Sequence, residues 1–338
     1  MQIILCVAAF YVLWALLWKL FYLVFGTGTA GKVVKKVFDD GRSLFVVGSD
    51  LTTELIYKEI FVEQVYFKHG VSLDHRKEPL ILDLGGHVGM FSTFIAESYP
   101  TSKVHVFEPV PLLAEAIEKN VAARPDAQVT VHKVAVGEKE GDISFEYNPR
   151  VSAGTSLFPD QAVPSYVDPV GFVRAAYGDA AAIGYFPKQP TLSLVRLLDI
   201  PYLQYVAFVT YIPLMVLHYL WEWAKTTKSL VRTRVAPLSL LLKEKGLHGK
   251  KIDLLKVDVE GAEWMVLMGL DQTTWNCVEQ AVIEVHNCDD QRVKKVMELL
   301  KSQGFNAVDH PPDLDVSKFQ ELLDLHTIYA TRPASLLD

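Results

Sequence analysis

The chain has 338 residues, 50% of them hydrophobic, and a formal net charge of -7 at pH 7. The acidic balance argues against a nucleic-acid binder, which carries a basic surplus. Three cysteines without CxxC spacing exclude a disulfide framework or a cysteine-ligated metal, and fit a reducing compartment.

The first 25 residues, MQIILCVAAFYVLWALLWKLFYLVF, are almost wholly apolar, with Lys19 their only charge. A helix of that length spans the roughly 30 Å hydrocarbon core of a bilayer. A cleaved signal peptide needs a basic start and a shorter apolar core, so residues 1–26 read as an uncleaved membrane anchor. Lys32, Lys35, Lys36 and Arg42 follow, against Asp39 and Asp40. That basic excess predicts that the body of the protein lies on the cytoplasmic side of the membrane.

The remainder, 38–338, reads as one α/β domain with an insertion. SDLTTELIYKEIFVEQVYFKHG has Ile56, Ile60, Phe61 and Val65 on one face of a capped helix. PLILDLG is a buried strand, MFSTFIAESYP a helix, KVHVFEP a second strand, PLLAEAIEKNVAAR a second helix and QVTVHKVAVG a third strand. DISFEYN reads as an added hairpin strand. Residues 160–232 break the rhythm and read as a membrane-associated helical insertion. Alternation resumes with KIDLLKVDVEG, a fourth strand, the helix start AEWMVLMGL and the fifth strand EQAVIEVHN. DDQRVKKVMELLKSQG is a helix with a glycine stop, and FNAVDH and LHTIYATR close the chain as antiparallel strands. Apolar strands alternating with helices mean a doubly wound parallel sheet covered on both faces.

Ligands in such sheets sit at the carboxyl ends of the strands. The first turn, Asp83-Leu84-Gly85-Gly86-His87-Val88-Gly89, is not the G-x-G-x-x-G of dinucleotide binders. Gly85 and Gly89 let the backbone pass close to a ligand. Asp83, at the strand end, is expected to face the pocket, repelling a pyrophosphate and attracting a cation. Glu108, 19 residues beyond Gly89, is placed to accept hydrogen bonds from ribose hydroxyls. The turn therefore reads as a nucleoside site. A dehydrogenase would continue with a second alternating half, which is missing.

Several stretches together resemble the FkbM-type family of methyltransferases: ILDLGGHVGMFS, VFEPVP followed by EKNV, VAVGEKEGDISF, GTSL, IDLLKVDVEGAEWMVLMGL and VIEVH. The resemblance covers roughly residues 50–158 and 235–332, and KVDVEGAE is its most specific part. It implies a class I methyltransferase Rossmann-like sheet of five parallel strands plus a terminal antiparallel hairpin. It also implies S-adenosylmethionine as cofactor and transfer of the methyl group to oxygen. Gly85 and Gly89 match the family's cofactor turn, and Glu108 matches its ribose acid. Asp258, Glu260 and Glu263 match the acids of its fourth-strand motif. Where the family usually has Ala-Asn, this chain has Gly86-His87, which join the candidate cofactor contacts with Asp83 and Asp258.

Asp258 and Glu260 lie two apart at the end of the fourth strand and share a face if the strand extends that far; Glu284 and His286 repeat this spacing on the fifth. These four are the catalytic candidates. His286, with an unperturbed pKa of about 6.5, is the best base by chemistry, and Glu284 would orient it or bind the acceptor. The same four side chains are also a conceivable divalent-metal set. Asn120 is expected to cap its helix, and Tyr66 is a candidate for the pocket.

Residues 202–224, YLQYVAFVTYIPLMVLHYLWEWA, are long enough to span a bilayer and lie between the third and fourth strands. The first and fourth strands are sheet neighbours, so this segment crosses twice, re-enters or lies in the interface, unless it is a buried helix pair of the globular domain. An enzyme docked on a membrane, with a lipid or other apolar small-molecule acceptor or the side chain of a membrane protein, follows from that topology, while the acidic charge balance speaks against nucleic acid. The alternative is a methyltransferase-like scaffold that has lost catalysis.

Overall fold

The computed structural model describes residues 31–47, 50–147, 229–286, 291–311 and 325–333. The expected anchor at 1–26, the insertion up to residue 228 and the GTSL stretch lie outside the described residues.

A hairpin of β1 (Val34–Val37) and β2 (Ser43–Val46) leads into α1 (Asp50–Tyr57). The central sheet takes β3 (Leu80–Leu84), β4 (Lys103–Phe107), β5 (Gln128–His132), β9 (Leu254–Val257), β10 (Gln280–His286), β11 (Asn306–His310) and β12 (Leu325–Thr331). Its order is β11-β12-β10-β9-β3-β4-β5. β12 runs antiparallel to both β10 and β11, and the other pairings are parallel. The expected five parallel strands and terminal antiparallel pair are thus present, with β12 inserted between β10 and β11.

Every residue of β3 and of β9 is buried. Alternate side chains enter opposite layers, as strand geometry requires. Ile81, Val104, Val106, Leu254 and Val282 pack with α2 (Met90–Ser98), α3 (Pro111–Ala122) and the N-terminal segment. Leu82, Leu84, Leu255, Val257 and Ile283 pack on the other face with α4 (Leu238–Glu244), α5 (Glu263–Met268), α6 (Gln272–Cys277) and α7 (Arg292–Ser302).

Three local expectations are corrected. DISFEYN forms β7 (Gly141–Tyr147), which leaves the main sheet and joins β6 (Ala135–Val136) and β8 (Ser229–Ala236) in the order β6-β8-β7. β8 begins inside the range read as insertion. Its arginines hid the strand pattern, yet Arg234 is spent on Glu140 and Glu244, each 2.6 Å away. The long helix expected after Ser49 stops short: α1 gives way to a π-helical turn, Lys58–Val62, and the chain reverses at Gln64 with φ of 49°. That reversal precedes Tyr66 and frees it from the helix face assigned to Val65.

Asn120 is not a helix cap. It lies inside α3, 1% exposed. Its Oδ1 accepts from the Phe45 amide at 2.7 Å, and its Nδ2 donates to the Phe45 and Val88 carbonyls, each at 2.9 Å. One side chain thus ties β2 and the glycine turn to α3. Asn120→Ala takes this partner from the half-buried Phe45 amide and carbonyl and from the buried Val88 carbonyl, and urea unfolding is expected to register a loss of about 2–4 kcal/mol. A loss under about 1 kcal/mol would mean that water replaces the amide.

Candidate active site

The strand order reverses between β3 and β9, and the carboxyl ends of β3, β4, β9 and β10 converge there, where open α/β sheets bind ligands. The glycine turn follows β3. Gly85 has φ of 80°, and a Cβ on it would lie 1.7 Å from the Asp258 carbonyl oxygen. A Cβ on Gly86 would lie 2.2 Å from Val106 Cγ1. A side chain at Gly85 would drive the turn off the β9 backbone, whereas one at Gly86 would require the Val106 side chain to shift. Gly89, at φ of 79°, opens α2.

His87 sits in the left-handed region with φ of 49°. Asn and His are among the few side chains that tolerate it. This is the physical link between His here and the Asn usual in the resembling family. The His87 amide donates to Glu108 Oε2 at 2.8 Å. Burial, countered by the Asp258 charge, pushes the imidazole down to about 4, so it is neutral. Glu108 is 4% exposed and also accepts from the Val110 amide at 2.9 Å. Burial pushes its carboxyl up to about 8. A buried carboxyl at the end of β4, braced by two backbone amides, fits a ribose acceptor in character and place. Glu108 and the Gly85–Gly89 turn are the residues that would hold a nucleoside.

Asp83 departs from expectation. It stands directly opposite Lys256 in the β3–β9 register and has no exposed surface. Its Oδ2 accepts from Ser92 Oγ at 2.6 Å, and its Oδ1 lies 3.1 Å from Lys256 Nζ. Its charge is therefore neutralised beneath the turn and does not face the pocket. Lys256 Nζ also donates to the Gly85 carbonyl at 2.8 Å and meets Asp258 Oδ2 at 3.1 Å. Burial opposes the ammonium, but Asp258, Asp83 and Glu284 outweigh it and raise the Lys256 pKa.

Asp258 and Glu284 meet at Tyr66, whose hydroxyl donates to Glu284 Oε2 at 3.2 Å and Asp258 Oδ2 at 3.4 Å. Burial and the Asp258 charge hold the Glu284 carboxyl well above the usual range. His286 is turned differently. Its Nε2 is 3.0 Å from Glu260 Oε2 and its Nδ1 is 3.0 Å from Glu263 Oε1. Burial opposes the imidazolium, but Glu260 and Glu263 raise its pKa well above the ordinary value. Glu260 and Gly261 carry the chain through the left-handed region, with φ of 51° and 94°. Glu263, 0% exposed, closes this loop by accepting the Gly261 amide at 2.7 Å. The four catalytic candidates thus resolve into two groups: Asp258 with Glu284 around Tyr66, and Glu260 with His286 around Glu263. Lys256, His286 and Tyr66 take up oxygens that a cation would use, and no metal-binding group of three stands among the described residues. Lys256 and Ser92 escaped the sequence reading because a lysine inside an apolar strand and a serine inside a helix carry no periodic signal.

Two outcomes follow. An acid with a raised folded pKa stabilises the fold below its unfolded pKa and loses that contribution as pH rises through the folded value. Between about pH 5 and 8 the melting temperature of Glu108→Gln is therefore expected to rise relative to wild type. A constant gap across that window would show that Glu108 is already ionised. Lys256→Met strands a buried carboxylate and is expected to cost about 3–5 kcal/mol in guanidinium unfolding. Adding Asp83→Asn should return about half of it, whereas strict additivity would show that the two groups are not coupled.

Residues 215–307 match the family described as Methyltransferase FkbM domain. The 31-O-demethyl-FK506 methyltransferase FkbM of Streptomyces tacrolimicus is 27% identical over 281 residues, covering 83% of this chain and 90% of that protein. Methyltransferase sdnD of Sordaria araneosa is 27% identical, over 80% of this chain and 89% of its own. Among solved structures, magnesium protoporphyrin IX methyltransferase (ChlM) from Synechocystis PCC 6803 with bound SAM aligns over 94% of this chain and 91% of that one, at 8% identity and a TM-score of 0.39. From the sequence matches and the strand-end residues described above, the chain is an S-adenosylmethionine-dependent methyltransferase, similar over most of its length to FkbM-type enzymes.

Proposed function

We propose that the protein methylates a hydroxyl oxygen of an apolar or membrane-bound acceptor, with Glu284 as the base. The observation that carries this reading is the Tyr66–Glu284–Asp258 cluster at the ends of β9 and β10. S-adenosylmethionine, when bound, supplies a methyl group on a sulfonium. A hydroxyl acceptor must lose a proton as it attacks, and a carboxylate of raised pKa is a stronger base than an ordinary one. Glu284 has that character, and Tyr66 orients it by donating to its Oε2.

His286, the base favoured on chemical grounds from sequence, takes a positioning role here. An imidazolium with a carboxylate on each nitrogen has no lone pair to offer, but it holds Glu260 and Glu263 and so the loop after β9. The direction toward oxygen is also supported by the name of the Streptomyces relative, a 31-O-demethyl-FK506 methyltransferase. The membrane setting is supported by the apolar segments 1–25 and 202–224, and the cytoplasmic placement by the basic residues from Lys32 to Arg42.

Full-length protein incubated with methyl-tritiated S-adenosylmethionine and a total lipid extract of its host cells is expected to put label into alkali-stable lipid ethers. Label confined to water-soluble products would overturn the membrane acceptor. Glu284→Gln should lower kcat about 10²–10⁴-fold with cofactor affinity kept. In wild type kcat should rise with pH through the raised carboxyl pKa, and the variant should lack that limb. His286→Asn retaining less activity than Glu284→Gln would reassign the base. The full chain should resist alkaline extraction from membranes; release by carbonate would refute the spanning anchor.

A further inference from the structure

Tyr147 closes β7 and is 1% exposed. Phe145, Tyr147 and Val231 form one face of the β7–β8 ribbon and pack in the same hydrophobic cluster as Val88, Val110, Leu113 and Ile117. Val88 belongs to the glycine turn, and the Val110 amide braces Glu108. The ribbon thereby joins the cluster that flanks the carboxyl end of β4, beside the ribose acid.

The Tyr147 ring is well packed, but its hydroxyl is not. The oxygen is buried with no hydrogen-bond partner among the described residues. A buried hydroxyl without a partner costs stability, and phenylalanine would fill the same space without that cost. Among the described residues, the hydroxyl makes no bond that would offset that cost. Burial raises the phenol's pKa and the Glu108 charge raises it further, so the group is a neutral donor that feels this carboxyl.

We propose that Tyr147 is a further cofactor-binding residue, its hydroxyl donating to the ribose of the adenosine held by Glu108. A ribose hydroxyl is both donor and acceptor. The two ribose hydroxyls together offer more acceptor positions than one carboxyl can fill, and Tyr147 carries a donor. The small β6-β8-β7 sheet then contributes a side chain to the cofactor site, in addition to the turn and strand ends of the main sheet. This inference rests on the cofactor assignment above.

The test is calorimetric titration of full-length wild type and Tyr147→Phe with S-adenosylhomocysteine and its 2′-deoxy and 3′-deoxy analogues, beside the melting temperature of each ligand-free protein. Tyr147→Phe is expected to bind S-adenosylhomocysteine about five- to tenfold more weakly while melting at or above the wild-type temperature. One deoxy analogue should lose affinity for wild type and lose less for the variant, because the deleted partner is shared. Equal affinity of the two proteins for S-adenosylhomocysteine would overturn the proposal and leave the cofactor assignment standing. A lower ligand-free melting temperature would overturn it too, by revealing a structural hydrogen bond. Wild type failing to bind S-adenosylhomocysteine at all would overturn both.

Discussion

The site depends on one buried ammonium. Lys256 lies in the middle of the sheet with 4% of its side chain exposed, where a lone charge is not tolerated. It is held because its partners come from separate pieces of chain: Asp83 on β3, Gly85 in the turn and Asp258 just past β9. The parallel register puts Asp83 beside Lys256, and the two-residue strand period puts Asp258 on the same face. The rings of Tyr66 and Phe91 stand 5.6 and 5.8 Å from the ammonium and shield it further. Removing the ammonium would leave the Asp83 carboxylate in an apolar layer. The turn, the strand ends and Tyr66 are therefore fixed relative to one another before a ligand arrives, which is the condition for orienting two reactants well.

Around that hub the acids divide the work by environment. Asp258 is matched to the lysine. Glu284 is crowded by Asp258 and burial, so its proton is held above the ordinary range. Glu260 and Glu263 are bridged by the His286 imidazolium, which keeps the strained Glu260-Gly261 step in place. Carboxyl groups of similar sequence context thus acquire different chemistry, because one faces an ammonium, one another carboxylate and two an imidazolium.

At the nucleoside end the constraint is steric. Gly85 and Gly86 let the turn lie against the Asp258 carbonyl and Val106, and the left-handed His87 aims its amide at Glu108. Asn120 secures the same turn from the side by holding the Val88 carbonyl. A polar side chain buried in α3 therefore serves the cofactor turn without being near the acceptor cluster.

Much of this was legible in the sequence. The apolar runs of four to five residues between helical periods dictate a parallel sheet, because only strands buried on both faces lack alternation. The missing G-x-G-x-x-G, with Glu108 at the end of the next strand, dictates a nucleoside turn. The acids just after β9 and near the end of β10 are strand-end residues by position alone. What the sequence could not decide is which way each side chain is spent. Asp83 sits at the strand end in either case, but only the register with Lys256 turns its charge inward. His286 is a free base by composition, and only the loop that brings Glu260 and Glu263 to its two nitrogens makes it an imidazolium clamp. Tyr66, Asn120, Ser92 and Tyr147 depend on contacts between residues far apart in the chain, and such contacts leave no local period to read. Local sequence determines which strands and turns form, through backbone geometry and burial; the protonation and partner of each site residue are set by through-space neighbours that exist only once the sheet has closed.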